Sequence, residues 1–206
     1  MCRKFGQKLG LTPERCASPK CAFTRRAYPP GSHGQSRRRR DKSEYGQQLL
    51  EKQRIRLLYG VSESALKRSV RDALARVQGP SSSSNALDVI SEQLERRLDN
   101  VVFRLGFAPT RAVARQMVAH GHILVNGRRA TSPSYRVRNE QIVAVRPESR
   151  MAVMYAELPA VLAKHRVPQW LVLDQKEWSG KLVSTPARDT ETQGLDFAKV
   201  VEFYAR

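Results

Sequence analysis

The chain has 206 residues, with 37 Lys and Arg against 19 Asp and Glu, a formal net charge of +18, and 40% hydrophobic residues. That length and apolar content suit one or two domains with a real core, and a charge of this size calls for a polyanionic partner. No apolar run can span a bilayer, Met1 to Gly10 lacks the apolar stretch of a signal peptide, and three cysteines within the first 21 residues are too few for a secreted disulfide framework, so a cytoplasmic protein with no membrane contact is expected.

The charge is partitioned. Residues 1–60 carry a net +11 and residues 94–146 a net +7, whereas residues 61–93 and 147–206 balance to zero. One basic cluster can be a merely solvated face. Two basic segments separated by neutral ones point to two contact surfaces.

Residues 1–44, rich in Gly, Pro, Ser and Arg, read as an irregular, extended basic arm that orders against phosphates. Arg25 and Arg26, then the run Arg37, Arg38, Arg39 and Arg40, are its candidate RNA contacts. From Tyr45 to Tyr59 the pattern is helical, with Leu49, Leu50, Leu57 and Leu58 apolar, Lys52 a candidate contact and Gly60 a stop. Ser62 is placed to cap a second helix whose stripe is Leu66, Val70, Ala73, Leu74 and Val77. Gly79-Pro80 ends it, and Ser81 to Asn85 reads as a linker. Leu94, Leu98, Val101, Val102 and Leu105 predict a third helix, stopped at Gly106. Thr110 caps a fourth, with Ala112, Val113, Met117 and Val118 expected inside and Gly121 at its end. Ile123–Val125 runs into Asn126-Gly127, a tight-hairpin signal, and Ile142–Val145 reads as another strand. In the tail, Val161, Leu162, Trp170, Leu171 and Leu173 can supply core, and Val200, Val201 and Phe203 read as a final strand.

The expected fold is α+β: a mainly helical body plus a small helix-and-hairpin RNA-binding module. The arm spans residues 1–44. The body spans 45–91 and is completed by the tail at about 186–206. The module and its extension span 92–185, with a core at about 94–147.

Within that module the cations are grouped. Arg111 and Arg115 are four apart on one helix face, a spacing that costs an isolated helix about 0.2–0.5 kcal/mol and becomes favourable opposite an anion. Arg97 and Arg104 are seven apart on the preceding helix. His120 and His122 flank Gly121, and Asn126, Arg128 and Arg129 sit at the hairpin. Two helices joined by a short turn also suit a DNA-reading helix-turn-helix. The hairpin and the Arg-rich arm fit structured RNA better, because A-form RNA is read through shape, phosphates and 2′-hydroxyls. Aromatic residues are only 7%, which argues against an extended base-stacking platform.

Cys2, Cys16 and Cys21 look like part of a zinc site, since Cys16 and Cys21 enclose four residues. Three thiolates leave a tetrahedron one ligand short, and His33 could complete it; the alternative is three ordinary reduced thiols. There is no phosphate-cradling glycine loop, no metalloprotease-type helix and no acid paired in sequence with His33, His120, His122 or His165, so no enzyme is expected.

The segments Arg96-Arg97-Leu98-Asp99-Asn100-Val101-Val102-Phe103-Arg104-Leu105-Gly106-Phe107, Ala114-Arg115-Gln116, His120-Gly121-His122 and Val125-Asn126-Gly127-Arg128-Arg129 resemble the fourth protein of the bacterial small ribosomal subunit. So do Tyr28-Pro29-Pro30-Gly31, His33-Gly34-Gln35, Glu51-Lys52-Gln53, Pro133-Ser134-Tyr135 and Val201-Glu202-Phe203-Tyr204. The resemblance covers essentially the whole chain. Its helix-and-hairpin part is shared with pseudouridine synthases, one class of tyrosyl-tRNA synthetase and a heat-shock protein, whereas the arm and tail are not. An RNA-modifying enzyme or synthetase fragment is therefore the competing reading, and it lacks a catalytic domain. The resemblance implies a primary 16S rRNA binder at the five-way junction of the 5′ domain, nucleating assembly of the subunit body. It further implies contacts with small-subunit proteins five and twelve, a place near the mRNA entry channel, an influence on decoding accuracy and, in some members, repression of their own mRNA. Many members carry four zinc-binding cysteines, of which Cys2, Cys16 and Cys21 match the last three. The first would precede Met1, so a longer native N-terminus with another Cys is expected. Other members lack all four.

Overall fold

A computed structural model describes residues 1–36, 42–77, 85–151, 155–186 and 194–205. These residues form two compact units, Met1–Lys67 with Leu195–Arg206, and Arg68–Gly194. Mixed α+β architecture is as expected.

In the first unit, three short helices punctuate the arm: α1 (Cys2–Phe5), α2 (Pro13–Ala17) and α3 (Ala22–Arg25). Arg3 ties α1 to the turn after Ala27. Its Nε donates to the Tyr28 carbonyl at 2.9 Å, and its guanidinium lies over the Tyr28 ring. The run Arg37–Arg40 lies outside the described residues. Helix α4 (Glu44–Tyr59) starts where Ser43 Oγ accepts the Gly46 N–H, and it stops at Gly60, whose φ of 61° closes the last turn. Helix α5 (Glu63–Val77) is capped by Ser62, whose Oγ accepts the Ala65 N–H at 3.2 Å. Of its predicted stripe, Leu66, Val70 and Ala73 are buried and Leu74 and Val77 half-buried; from Arg68 on, the helix belongs to the second unit.

In the second unit, α7 (Leu98–Arg104) takes most of the third helix that the leucine spacing predicted from Leu94 to Leu105, and a break separates it from α6 (Ala86–Glu95), which lies largely in a stretch where no element was expected. The break is made by long-range backbone pairing. Arg97 is extended (φ −65°, ψ 137°) and bridges Arg136, while the Leu98 N–H donates to the Tyr135 carbonyl at 2.8 Å and the Val137 N–H to that of Arg96. Helix α8 (Arg111–Ala119) begins at Thr110, whose hydroxyl accepts the Val113 N–H. It buries Ala114, Met117 and Val118; Ala112, expected inside, is exposed, because the buried face is the i, i+3, i+4 set starting one residue later than Val113.

The strands are β1 (Ile123–Val125), β2 (Arg128–Arg129), β3 (Ile142–Val145), β4 (Leu171–Asp174) and β5 (Ser179–Leu182). They form one antiparallel sheet in the order β2-β1-β3-β5-β4. Asn126 and Gly127, both at positive φ, make the predicted hairpin turn. The β4–β5 hairpin that widens the sheet carries no turn dipeptide of that kind and was not foreseen. Helix α9 (Leu158–Lys164) lies between β3 and β4 in sequence. One core joins helices to sheet: Leu98, Val101, Leu105, Met117, Val118, Ile123, Val143, Val145, Leu162, Trp170 and Leu182 are all nearly inaccessible. Each such side chain contributes about 1.5–3 kcal/mol by leaving water.

The chain ends in α10 (Phe197–Ala205), a helix rather than the predicted strand. Phe197 and Val200 are buried at i, i+3, so the β-branched pair Val200-Val201 was misread as a strand signal. Helix α10 packs on α4, with Tyr45 and Phe203 rings 5.6 Å apart and Gln48 Nε2 donating to Glu202. The buried face of α4 is Gln48, Lys52, Ile55 and Tyr59; the four leucines expected there are half-buried.

Candidate nucleic-acid interface

The cations of the second unit are organised by three buried polar side chains on α6 and α7. Glu95, fully buried, grips Arg104 in a bidentate pair: Nε donates to Oε2 at 3.0 Å and Nη2 to Oε1 at 2.9 Å. Glu95 Oε2 also accepts from Asn100 Nδ2 at 2.7 Å, and Asn100 Oδ1 accepts from Arg111 Nε at 2.7 Å. The Arg111 guanidinium rests 4.4 Å from the Phe103 ring centre. Beside this chain, Asp99 receives two arginines. Arg97 donates to both of its oxygens, at 3.1 and 2.9 Å, and Arg115 donates to Oδ2 at 3.1 Å. Asp99 is 2% exposed, whereas the Arg115 side chain is 40% exposed. A buried carboxylate thus holds an arginine that reaches solvent.

The consequence is a fixed array. Guanidiniums at i and i+4 on α8 would repel each other and swing freely on their stems. Here Asn100 and Asp99 hold them by the Nε edge, which leaves geometry preset for an anion. Buried ion pairs contribute little net stability, because desolvating both charges offsets their attraction; what they supply is a unique arrangement.

At the far end of α8, His120 is exposed and His122 is half-buried, its Nδ1 2.9 Å from Ser149 Oγ. Arg129 folds back to donate to the His120 carbonyl. At the hairpin tip Asn126 is exposed, its Oδ1 accepting the Ile142 N–H at 2.8 Å, and Arg128 is exposed on β2. In the first unit, Arg25 and Arg26 are exposed at the end of α3.

Matches to known families fall on these residues. The S4 domain family model matches residues 96–143, and the ribosomal protein S4/S9 N-terminal domain model matches residues 1–91. The chain is 49% identical to small ribosomal subunit protein uS4 of Roseiflexus castenholzii over 186 residues, which cover 89% of this chain and 87% of that protein. It is 45% identical to uS4 of Thermus thermophilus over 206 residues, covering 100% and 95%. The uS4 protein of Chloroflexus aurantiacus is 47% identical over 186 residues.

The chain belongs to the uS4 family.

The S4 domain match encloses Arg97, Arg104, Arg111, Arg115, His120, His122, Asn126 and Arg128, together with Asp99 and Asn100. Two of the residues singled out as contacts are corrected. Arg104 is 5% exposed and enclosed with Glu95, so it supports the site from behind. Lys52, also 5% exposed, gives its Nζ to Glu63 at 2.6 Å and sits 4.4 Å from the Phe203 ring centre, joining α4, α5 and α10. Helix α10 packs on α4 at the face that carries Lys52.

The residues that the sequence reading missed are the acceptors: Asp99, Glu95 and Asn100. A signal existed, since Asp99 stands two residues from Arg97, but its proximity to Arg115 depends on how α7 and α8 cross.

The cysteines do not make the zinc site that their spacing suggested. Among the described residues no three His, Cys, Asp or Glu side chains are grouped to hold a metal ion. Cys2 and Cys16 are half-buried, Cys21 is buried, and His33 is exposed. Cys21 instead sits at the start of α3, where hydrogen bonds from the Thr24 backbone, outweighing burial, lower its thiol pKa. The residues present do not fit a zinc ion, and none enters the proposed function.

Proposed function

We propose that this chain is a structural, non-catalytic constituent of the small ribosomal subunit that binds 16S rRNA. The reading rests on the Arg111–Arg115 array, held by Asn100 and Asp99 inside the segment that the S4 domain model matches. The relatives' printed names place them in the small ribosomal subunit. The RNA is the 5′ domain of 16S rRNA, read by shape through its phosphates, and the arm with Arg25, Arg26 and Arg37–Arg40 adds a second, sequence-independent contact. On this reading the protein binds early and nucleates the subunit body. It neighbours small-subunit proteins five and twelve near the mRNA entry channel, and it influences decoding accuracy. Repression of its own mRNA is a further consequence of binding an RNA of similar shape.

The test is filter binding of the full chain to a 5′-domain transcript across a salt series. Phosphate contacts release counterions, so affinity should fall steeply as salt rises. Arg111→Glu with Arg115→Glu should weaken binding and flatten that slope by about one per lost cation. Unchanged affinity in the charge-reversed chain at moderate salt would refute the assignment. Equal binding of duplex DNA would favour a DNA-binding protein instead.

A further inference from the structure

Beside the hairpin lies an open cleft of about 600 Å³, walled by Asn126, Arg128, Arg129, Ser132, Tyr135 and Gln141 among others. Its size is that of a small-ligand site. Arg128 and Arg129 line it, the Arg129 guanidinium being tied back to the His120 carbonyl, and among the described residues no carboxylate lines it. The aromatic is pre-positioned. Tyr135 is 38% exposed, its hydroxyl accepts from Gln141 Nε2 at 2.9 Å, and Gln141 Oε1 in turn accepts the Arg138 N–H at 2.8 Å. Asn126 is fixed as well, since its Oδ1 accepts the Ile142 N–H at 2.8 Å.

Cations, one tethered aromatic ring, neutral hydrogen-bonding groups and no acid describe a site for an anion that also has a π-face and polar edges. We propose that this cleft receives a single unpaired ribonucleotide of the bound RNA, its base stacked on Tyr135 and its phosphate facing Arg128. Paired bases keep both faces inside the helix stack, so only an unpaired or bulged nucleotide can present one to a side chain. Low overall aromatic content excludes a continuous stacking platform, not one stacking point. The proposal rests on the RNA-binding function and adds a mode of recognition that a phosphate-contacting array lacks.

The test uses the full chain bound to the 5′-domain transcript. The complex is irradiated with ultraviolet light, the crosslinked peptide is sequenced, and affinities are measured for Tyr135→Ala and Tyr135→Phe. The crosslink should fall on Tyr135, joined to a nucleotide unpaired in the transcript. Tyr135→Ala should abolish it and weaken binding about tenfold, the order that base–aromatic stacking supplies. Tyr135→Phe, which keeps the ring, should retain most of the affinity. A transcript that binds with the expected salt dependence, but crosslinks elsewhere and binds Tyr135→Ala as tightly as the native chain, overturns the nucleotide site and leaves rRNA binding intact. Failure of the native chain to bind the transcript overturns both.

Discussion

Arg115, on α8, donates to Asp99 Oδ2 at 3.1 Å, the same oxygen that Arg97, in the break between α6 and α7, holds at 2.9 Å. One carboxylate therefore fixes two guanidiniums that would otherwise repel. Asp99→Asn preserves an acceptor for the Asn100 N–H, which Asp99 Oδ1 caps at 2.9 Å, while it removes the charge and puts an NH2 donor where Oδ2 accepts from both arginines. Charge-assisted hydrogen bonds in partly buried sites are worth about 1.5–3 kcal/mol, and Arg115's exposure discounts its share. The expected loss is about 1–2 kcal/mol in urea unfolding. In an Arg97→Gln background the same substitution should cost about 1 kcal/mol less, because Asp99 has already lost the Arg97 guanidinium there. Strict additivity of the two would show that Asp99 and Arg97 do not interact.

The Glu95–Arg104 pair behaves differently because neither partner reaches water. Glu95→Ala leaves an enclosed guanidinium without its bidentate acceptor and takes from Asn100 Nδ2 its carboxylate acceptor, leaving it only the residue 95 backbone carbonyl. A loss of about 3–5 kcal/mol is expected from uncompensated burial of charge. Replacing both partners, Glu95→Leu with Arg104→Met, removes the charges together and should cost distinctly less than Glu95→Ala alone. A double substitution as damaging as the single one would mean that the pair itself, not the orphaned charge, supplies the stability.

These two networks also mark what could be read from residues in order. Elements with local signals were legible: the Ser62 and Thr110 caps, the Gly60 stop and the Asn126-Gly127 turn all stand where the chain chemistry puts them. The grouping of Arg97, Arg111 and Arg115 was legible as charge, but not its scaffolding. Pairing of Leu98 with Tyr135 splits one predicted helix, and α10 covers a face of α4 that contains Gln48 and Lys52. Both depend on partners dozens of residues away, where periodicity carries no information. The final helix was missed for a related reason: β-branched residues suit a strand only until packing decides.

Gly180 provides a test of the sheet's seating on α7. A Cβ built there would lie 2.2 Å from Leu105 Cδ2 and 2.7 Å from Cδ1, and Leu105 is itself fully enclosed. The leucine has nowhere to turn, so β5 would be pushed from the core. Gly180→Ala should cost about 1–3 kcal/mol, the usual range for overpacking. Gly180→Ala combined with Leu105→Ala should recover part of that loss relative to the sum of the two single changes, since the smaller side chain vacates the contested volume. Thermal melts of the four proteins decide this, and simple additivity would place the conflict elsewhere.

Tyr155 offers a stabilising change. Its ring is 1% exposed and sits edge-on to His122, but its hydroxyl finds no hydrogen-bond partner among the described residues. Burial pushes its phenol pKa up to about 12, because the phenolate would be stripped of water. An unsatisfied buried hydroxyl costs about 1–3 kcal/mol, whereas phenylalanine keeps the same packing without it. Tyr155→Phe is thus expected to be neutral or to stabilise the fold, by up to about 1 kcal/mol, at neutral pH. The pH dependence sharpens the expectation. The folded state holds the proton more tightly than the unfolded chain, whose tyrosines ionise near pH 10. The native protein therefore keeps this contribution below pH 10 and loses it as pH rises from about 10 toward 12. Tyr155→Phe removes that alkaline loss, so the stability gap between variant and native chain should widen over this interval in denaturant melts. A variant that is less stable than the native protein at pH 7, with a gap unchanged up to pH 11, would show that the hydroxyl is satisfied after all.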